Sequence, residues 1–148
     1  MKHVIPLMFI ILAFLIGACE EHEKMCCAIR EENELRGRWL LYETGYSPGM
    51  GYITEPVPAL PAQTLTVDNL IVSSTVDGME DFRFYRILTD TATTPDSPYV
   101  AFYTNDPGEQ PDPSTAVATY NFYVEGNTLT LGFRWCYEGC HLAFRKIN

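Results

Sequence analysis

The sequence predicts an all-β domain, an up-and-down antiparallel β-barrel of about eight strands, with a two-sheet β-sandwich as the alternative. Two observations carry this. From residue 35 onward, apolar side chains recur with period two, the spacing of strands with one buried face. The segments that show it are short and are separated by glycine, asparagine, aspartate and proline, the chemistry of turns. Consecutive strands joined by tight turns pair as a meander, and closing the meander removes the exposed edges of an open sheet. The chain is 47% hydrophobic and 13% aromatic, enough for a core, and its 148 residues suit a single domain.

Strands are expected at 38–44, 63–67, 70–76, 82–88, 99–104, 116–124, 128–136 and 141–147. The seventh has the clearest alternation: Leu129, Leu131, Phe133 and Trp135 on one face, Thr128, Thr130, Gly132 and Arg134 on the other. In the sixth, Ala118, Tyr120, Phe122 and Val124 form the heavier face. Asp68-Asn69 joins the second strand to the third, Glu125-Gly126-Asn127 the sixth to the seventh, and Tyr137-Glu138-Gly139 closes the last hairpin. No internal repeat and no second folded domain is visible.

The connections are uneven. Residues 45–62 hold Gly45, Gly49 and Gly51 with Pro48, Pro56, Pro58 and Pro61, and residues 105–115 hold Pro107, Pro111 and Pro113. In an eight-strand meander the first, third, fifth and seventh connections share one end. The two long loops and the 137–139 turn should therefore rim a common mouth, where binding usually occurs.

Ahead of the domain, Lys2 and His3 precede an apolar run from Val4 to Ile16. Roughly 13 residues fall short of the ~20 that cross a bilayer, and a basic start, a short apolar stretch and a small-residue end describe an export signal. The run closes on Ile16-Gly17-Ala18-Cys19, which resembles the lipobox of bacterial lipoproteins. That resemblance implies cleavage after residue 18 and a diacylglycerol thioether on Cys19, usually with N-acylation. The buried acyl chains would anchor the protein, at about 0.8 kcal/mol per methylene. Residues 1–18 are then signal peptide, 19–34 an acidic tether that is able to turn into a short helix, and 35–148 the β-domain. Glu20, Glu21 and Glu23 follow the lipid cysteine and resemble the surface-export signal of some Gram-negative lipoproteins; a merely solvated tether is the alternative. The expected location is the cell envelope, lipid-anchored to the outer membrane and open to surface exposure.

Loss of Lys2 leaves nine basic residues against nineteen acidic ones, taking the formal charge from −9 to −10. Such a surface repels nucleic acid and anionic headgroups, so neither is an expected partner. Export also places the cysteines where disulfides persist.

Leu35-Arg36-Gly37-Arg38-Trp39 opens the first strand, and this Leu-x-Gly-x-Trp pattern resembles the start of lipocalins and of lipocalin-like domains in bacterial lipoproteins. Those lipoproteins also tend to end in a cysteine pair and an aromatic, basic strand, here Cys136-Tyr137-Glu138-Gly139-Cys140 and then Phe144-Arg145-Lys146-Ile147. The resemblance touches both ends of the domain and leaves the middle without a motif. It implies that Trp39 closes the barrel floor beneath a basic residue of the last strand, Arg145, in a structural cation–π contact of about 0.5–2 kcal/mol.

With Cys19 assigned to lipid, Cys26, Cys27, Cys136 and Cys140 allow three pairings. A Cys136–Cys140 bridge is favoured, because a three-residue loop sets them opposite each other. The tether cysteines would otherwise have to reach the far end of the barrel. So short a closed loop stabilises by roughly 2 kcal/mol. No metal site is expected, since Cys26 and Cys27 are adjacent and point apart, and His141 belongs to the other end. No catalytic residue is expected either. Ser47, Ser73, Ser74, Ser97 and Ser114 lack a nucleophile-elbow context, and the acids sit in turns and the tether.

What remains is aromatic. Tyr46, Met50 and Tyr52 lie in the first long loop, and Phe84, Phe102, Tyr120, Phe122, Phe133 and Trp135 lie on strands. They are either packed core or the lining of a site for one small ligand, since an eight-strand barrel has room for either. The expected function is non-catalytic binding of a small, largely apolar ligand in or at the mouth of the barrel, with no cofactor. The alternative is an envelope interaction module with a filled core and an envelope protein as its partner.

Overall fold

The computed structural model describes residues 32–49, 51–93, 97–136 and 139–147. Cys19, Cys26, Cys27 and Met50 lie outside the described residues. Contacts divide the chain between Glu34 and Leu35, and every described strand belongs to the second unit, Leu35–Asn148.

Among the described residues nine strands form one antiparallel sheet: β1 (Gly37–Tyr46), β2 (Ile53–Pro56), β3 (Thr64–Asp68), β4 (Ile71–Ser74), β5 (Phe84–Asp90), β6 (Ser97–Tyr103), β7 (Ala118–Glu125), β8 (Thr128–Phe133) and β9 (His141–Ile147). Each of β3 to β9 pairs with its neighbour in sequence, and β1 pairs with both β3 and β9, which closes an eight-strand barrel. All eight expected strands are present. The ninth, β2, comes from the expected first loop. It returns along β1 from Tyr46↔Ile53 to Glu43↔Pro56, and β3 takes over the same edge from Leu40↔Thr64 to Gly37↔Val67. Between them the backbone still bridges, Leu41 N donating to the Gln63 carbonyl and Val57 N to that of Tyr42, both at 2.9 Å. The proline-rich residues 58–62 bulge outward from what is otherwise one interrupted strand.

Alternate residues of every long strand fill the interior. Trp39, Leu65, Val100, Leu129, Leu131 and Phe144 are wholly inaccessible, and Leu41, Val67, Val72, Tyr85, Phe102 and Tyr120 complete one continuous cluster. Val76, Met79 and Phe82, from the β4–β5 connection, tuck into the same core. β1 carries a bulge between Leu41 and Glu43 against β9, which lets it bend while keeping its inward face buried.

The Leu-x-Gly-x-Trp start forms one packed unit with β9. The Trp39 indole N–H donates to the Leu35 carbonyl at 2.8 Å. Trp39 pairs directly with Lys146, whose Nζ lies 5.0 Å from the ring centroid. Gly37 (φ 142°) leaves the space that Lys146 crosses, since a Cβ there would lie 2.6 Å from Lys146 Cε. This corrects the basic residue expected over Trp39. Arg145 pairs with Leu40 and Thr128, one residue out of phase, and is exposed on the outer face. With a period of two, a shift of one residue exchanges inside for outside.

A second correction concerns Phe84. Tyr85 and Ile87 take the inward positions of β5, so Phe84 packs outside, with Leu88 and Ala116, against Tyr99, Ala101 and Tyr103. Residues 104–117 cover this outer cluster. Arg86 ties them down, donating to the Asp106 carboxylate at 3.0 Å and to the Gly108 carbonyl at 3.2 Å. β6 is therefore buried on both faces from Tyr99 to Tyr103, which accounts for its unbroken apolar run.

Candidate functional site

Two clefts flank the β8–β9 hairpin; of the connections expected to rim a common mouth, Gly45 and Tyr46 line one cleft and Pro113 and Ser114 the other. β8 ends at Phe133, two residues short of Trp135, because the chain turns there: Cys136 N donates to the Phe133 carbonyl at 3.2 Å and Phe133 N to that of Cys140 at 3.0 Å. Cys136 and Cys140 are bonded, with Cα atoms 5.6 Å apart. The turn lifts Trp135 off the sheet, leaving it 81% exposed, whereas Trp39 is fully buried.

Trp135 is the wall between two clefts. The first, of about 440 Å³, is lined by Tyr46, Phe133, Trp135, Leu142, His141 and the Cys136–Cys140 bridge, over Thr44 and Gly45. Its walls are almost entirely apolar. Phe133 is the outer end of an aromatic row: Phe82 stacks on Phe102 at 4.8 Å, Phe102 meets Tyr120 edge-on at 5.8 Å, and Tyr120 meets Phe133 at 4.7 Å. The row runs from the sealed core to the cleft surface, so the cleft wall is backed by packed rings.

At one rim stands a hydrogen-bonded chain of Glu43 on β1, His141 on β9 and Tyr52 just ahead of β2. His141 Nε2 lies 3.3 Å from Glu43 Oε1, and Nδ1 is bonded to the Tyr52 hydroxyl. A carboxylate accepts only from a protonated nitrogen, so in neutral His141 the Nε2–H donates to Glu43 and Nδ1 accepts from Tyr52. The Tyr52 and His141 rings also stack, 5.6 Å apart. They meet over Gly45, where a Cβ would collide with both the imidazole and the phenol oxygen. Gly45 has ordinary extended geometry, so it is the contact and not the backbone that needs glycine. Beside it, the Tyr46 hydroxyl donates to Glu55 at 3.2 Å. The Glu55 carboxylate raises the Tyr46 pKa, chiefly by charge repulsion of the phenolate.

The second cleft, of about 340 Å³, lies on the outer side of Trp135. Tyr99, Thr119 and Arg134 form its base, and Pro113, Ser114 and Val117 its wall. Arg134 stacks on the Tyr99 ring at 3.9 Å and pairs with Asp90. The Ala92 backbone N–H and the Arg134 guanidinium together hold the Asp90 carboxyl below its usual range. The Thr119 hydroxyl is buried without a hydrogen-bond partner among the described residues.

The expected ligand-contacting aromatics thus separate. Tyr46, Phe133 and Trp135 meet in the first cleft, and Tyr52 reaches its rim through His141. Phe102 and Tyr120 are core, Phe122 packs against the core, and Phe84 belongs to the outer cluster. Sequence reasoning missed Glu43, His141, Tyr99, Thr119 and Arg134 as cleft-side groups. No local signal marks them, since Gly45 reads as the start of the glycine- and proline-rich connection. Among the described residues no group of three or more His, Cys, Asp or Glu side chains converges as a metal site would require. Comparison with family models, with curated proteins and with solved structures finds no match for this chain.

Proposed function

We propose that this protein is a lipid-anchored envelope lipoprotein whose lipocalin-like barrel binds a small, largely apolar ligand, without catalysis, at the open mouth. The supporting observation is the apolar cleft of about 440 Å³ beside an 81% exposed Trp135, with Tyr46 and Phe133 also partly exposed. An exposed indole beside an apolar wall is costly in water and favourable against a ligand. Side chains occupy the barrel interior as one continuous cluster, which favours the mouth over the centre as the binding place. The lipocalin-like reading draws on the Leu35–Trp39–Lys146 arrangement at the other end of the barrel. The anchor draws on Ile16-Gly17-Ala18-Cys19.

Two tryptophans make the test direct. Trp39 is buried and Trp135 exposed, so titration with a fluorescent naphthalene sulfonate or a medium-chain alcohol should blue-shift only the Trp135 emission. Trp135→Ala should abolish saturable binding and leave the melting temperature unchanged, because the side chain is mostly in solvent. Saturable binding that survives the substitution would move the site elsewhere.

The alternative, a protein-interaction face, has one observation of its own. Tyr52 and Ile53 extend the exposed apolar surface past the cleft along β2. That reading predicts an envelope protein co-purifying with the wild type and lost in Tyr52→Ser/Ile53→Ser.

A further inference from the structure

The cleft on the outer side of Trp135 has a different chemistry from the apolar one, and the two share the same indole as a wall. A ligand seated in the apolar cleft and continuing past Trp135 arrives at Tyr99, Thr119 and Arg134. Only Nη2 of the Arg134 guanidinium has a partner among the described residues, the Asp90 carboxylate. A guanidinium carries five N–H donors, so most of this fork is unused. The Thr119 hydroxyl beneath the cleft is likewise unpaired, and Ser114 adds a hydroxyl on the wall.

Charge selects among polar head groups. Asp90 already balances Arg134, and Asp112 caps the wall by accepting from Ser114 N at 2.8 Å. An anionic head would meet no unopposed cation among the lining residues, on a protein whose formal charge is −9. A cationic head would face the guanidinium. A neutral group bearing several hydroxyls satisfies the geometry: it accepts from the free N–H groups and pairs with Thr119. The C–H face of such a ring is apolar and can lie on the exposed indole.

We infer that the ligand of the mouth is an amphiphile with a neutral polyol head, a sugar-like ring against Trp135 and Arg134, and an apolar tail in the cleft lined by Phe133 and Leu142. This rests on the apolar-binding reading above and names the chemistry at the other end of the same ligand.

The test is a titration of the purified protein with octyl glucoside, octanol and octanoate, each below its micelle-forming concentration, read by Trp135 emission and by calorimetry. The glucoside should bind about tenfold more tightly than octanol, the gain of roughly one charge-assisted hydrogen bond. Octanoate should bind more weakly than octanol. Arg134→Met should abolish the difference between glucoside and octanol, and Thr119→Val should narrow it. The valine variant removes one hydroxyl without a volume change, so it serves even if the arginine variant does not fold. Glucoside binding no tighter than octanol, or octanoate binding tightest, overturns the polyol head while leaving the apolar reading intact. Binding of none of the three overturns both.

Discussion

Tyr103 lies in the outer cluster with its hydroxyl buried and without a hydrogen-bond partner among the described residues. Leaving a buried donor unmet costs about 1–3 kcal/mol. Tyr103→Phe removes that cost and keeps the ring, so it should raise unfolding stability by about 1 kcal/mol, measured by urea denaturation. A loss of stability would show that the hydroxyl has a partner in solution. Tyr120 presents the titratable counterpart. Burial pushes its phenol from 10.0 up to about 12. Because the folded pKa is the higher one, the folded state holds this proton more tightly. Its contribution to stability is therefore complete below about pH 10 and is lost as the pH rises toward 12. Phenolate absorbance during alkaline titration should show Tyr120 ionising last, together with unfolding, and Tyr120→Phe should remove that last step.

At the scale of the element, β2 is held by a side-chain contact as much as by its ladder. The glycines and prolines of residues 45–62 read as a loop, and within it Ile53–Pro56 pairs with β1. No periodicity could mark a four-residue strand with every residue exposed. What holds it, besides the ladder and the Tyr46–Glu55 hydrogen bond, is the Tyr52–His141 contact over Gly45. Gly45→Ala should force those rings apart. The expected result is faster amide exchange at Ile53, Thr54 and Glu55 and a loss of about 1–2 kcal/mol, of the size of a strained contact with a broken hydrogen bond. Unchanged exchange would mean that the Tyr52–His141 contact does not hold β2. The β3–β4 hairpin turns through Asn69 and Leu70, both with positive φ (43° and 67°). Such a two-residue turn favours Asn-Gly. Leucine stands in the second place because its side chain packs against the core, so apolar burial offsets a backbone cost of roughly 1–2 kcal/mol. Sequence reasoning puts the turn one residue early, at Asp68-Asn69, because leucine is not a turn signal.

Across the whole barrel the weakest join is between β4 and β5. One Cα pair, Ile71↔Phe84, spans it, supported by Val72 N to the Arg83 carbonyl at 2.9 Å and Tyr85 N to that of Leu70 at 3.1 Å. β1 and β9, by contrast, pair over seven positions from Arg38↔Ile147 to Gly45↔His141. Hydrogen exchange should therefore open the barrel at β4 first, with the amides of Ile71–Ser74 exchanging well before those of β9. Equal protection of the two strands would contradict a seam there. Val76, Met79 and Phe82 wedge into the core beside this join, so apolar burial does there what a longer ladder does elsewhere.

The eight barrel strands, the antiparallel meander, the inward-facing columns of β7 and of Leu129 and Leu131, and the Cys136–Cys140 bridge were all legible in local pattern, because period, turn chemistry and loop length act over a few residues. Which basic side chain meets Trp39, which way Phe84 points, and which residues gather around Trp135 were decided by register and closure. These bring together residues as far apart as Glu43, Tyr52 and His141, or Asp90, Tyr99 and Arg134. Phase along a strand is a local property only until one residue of slip is allowed. Only the closed sheet, with a core on one face and a covering segment on the other, removes that freedom.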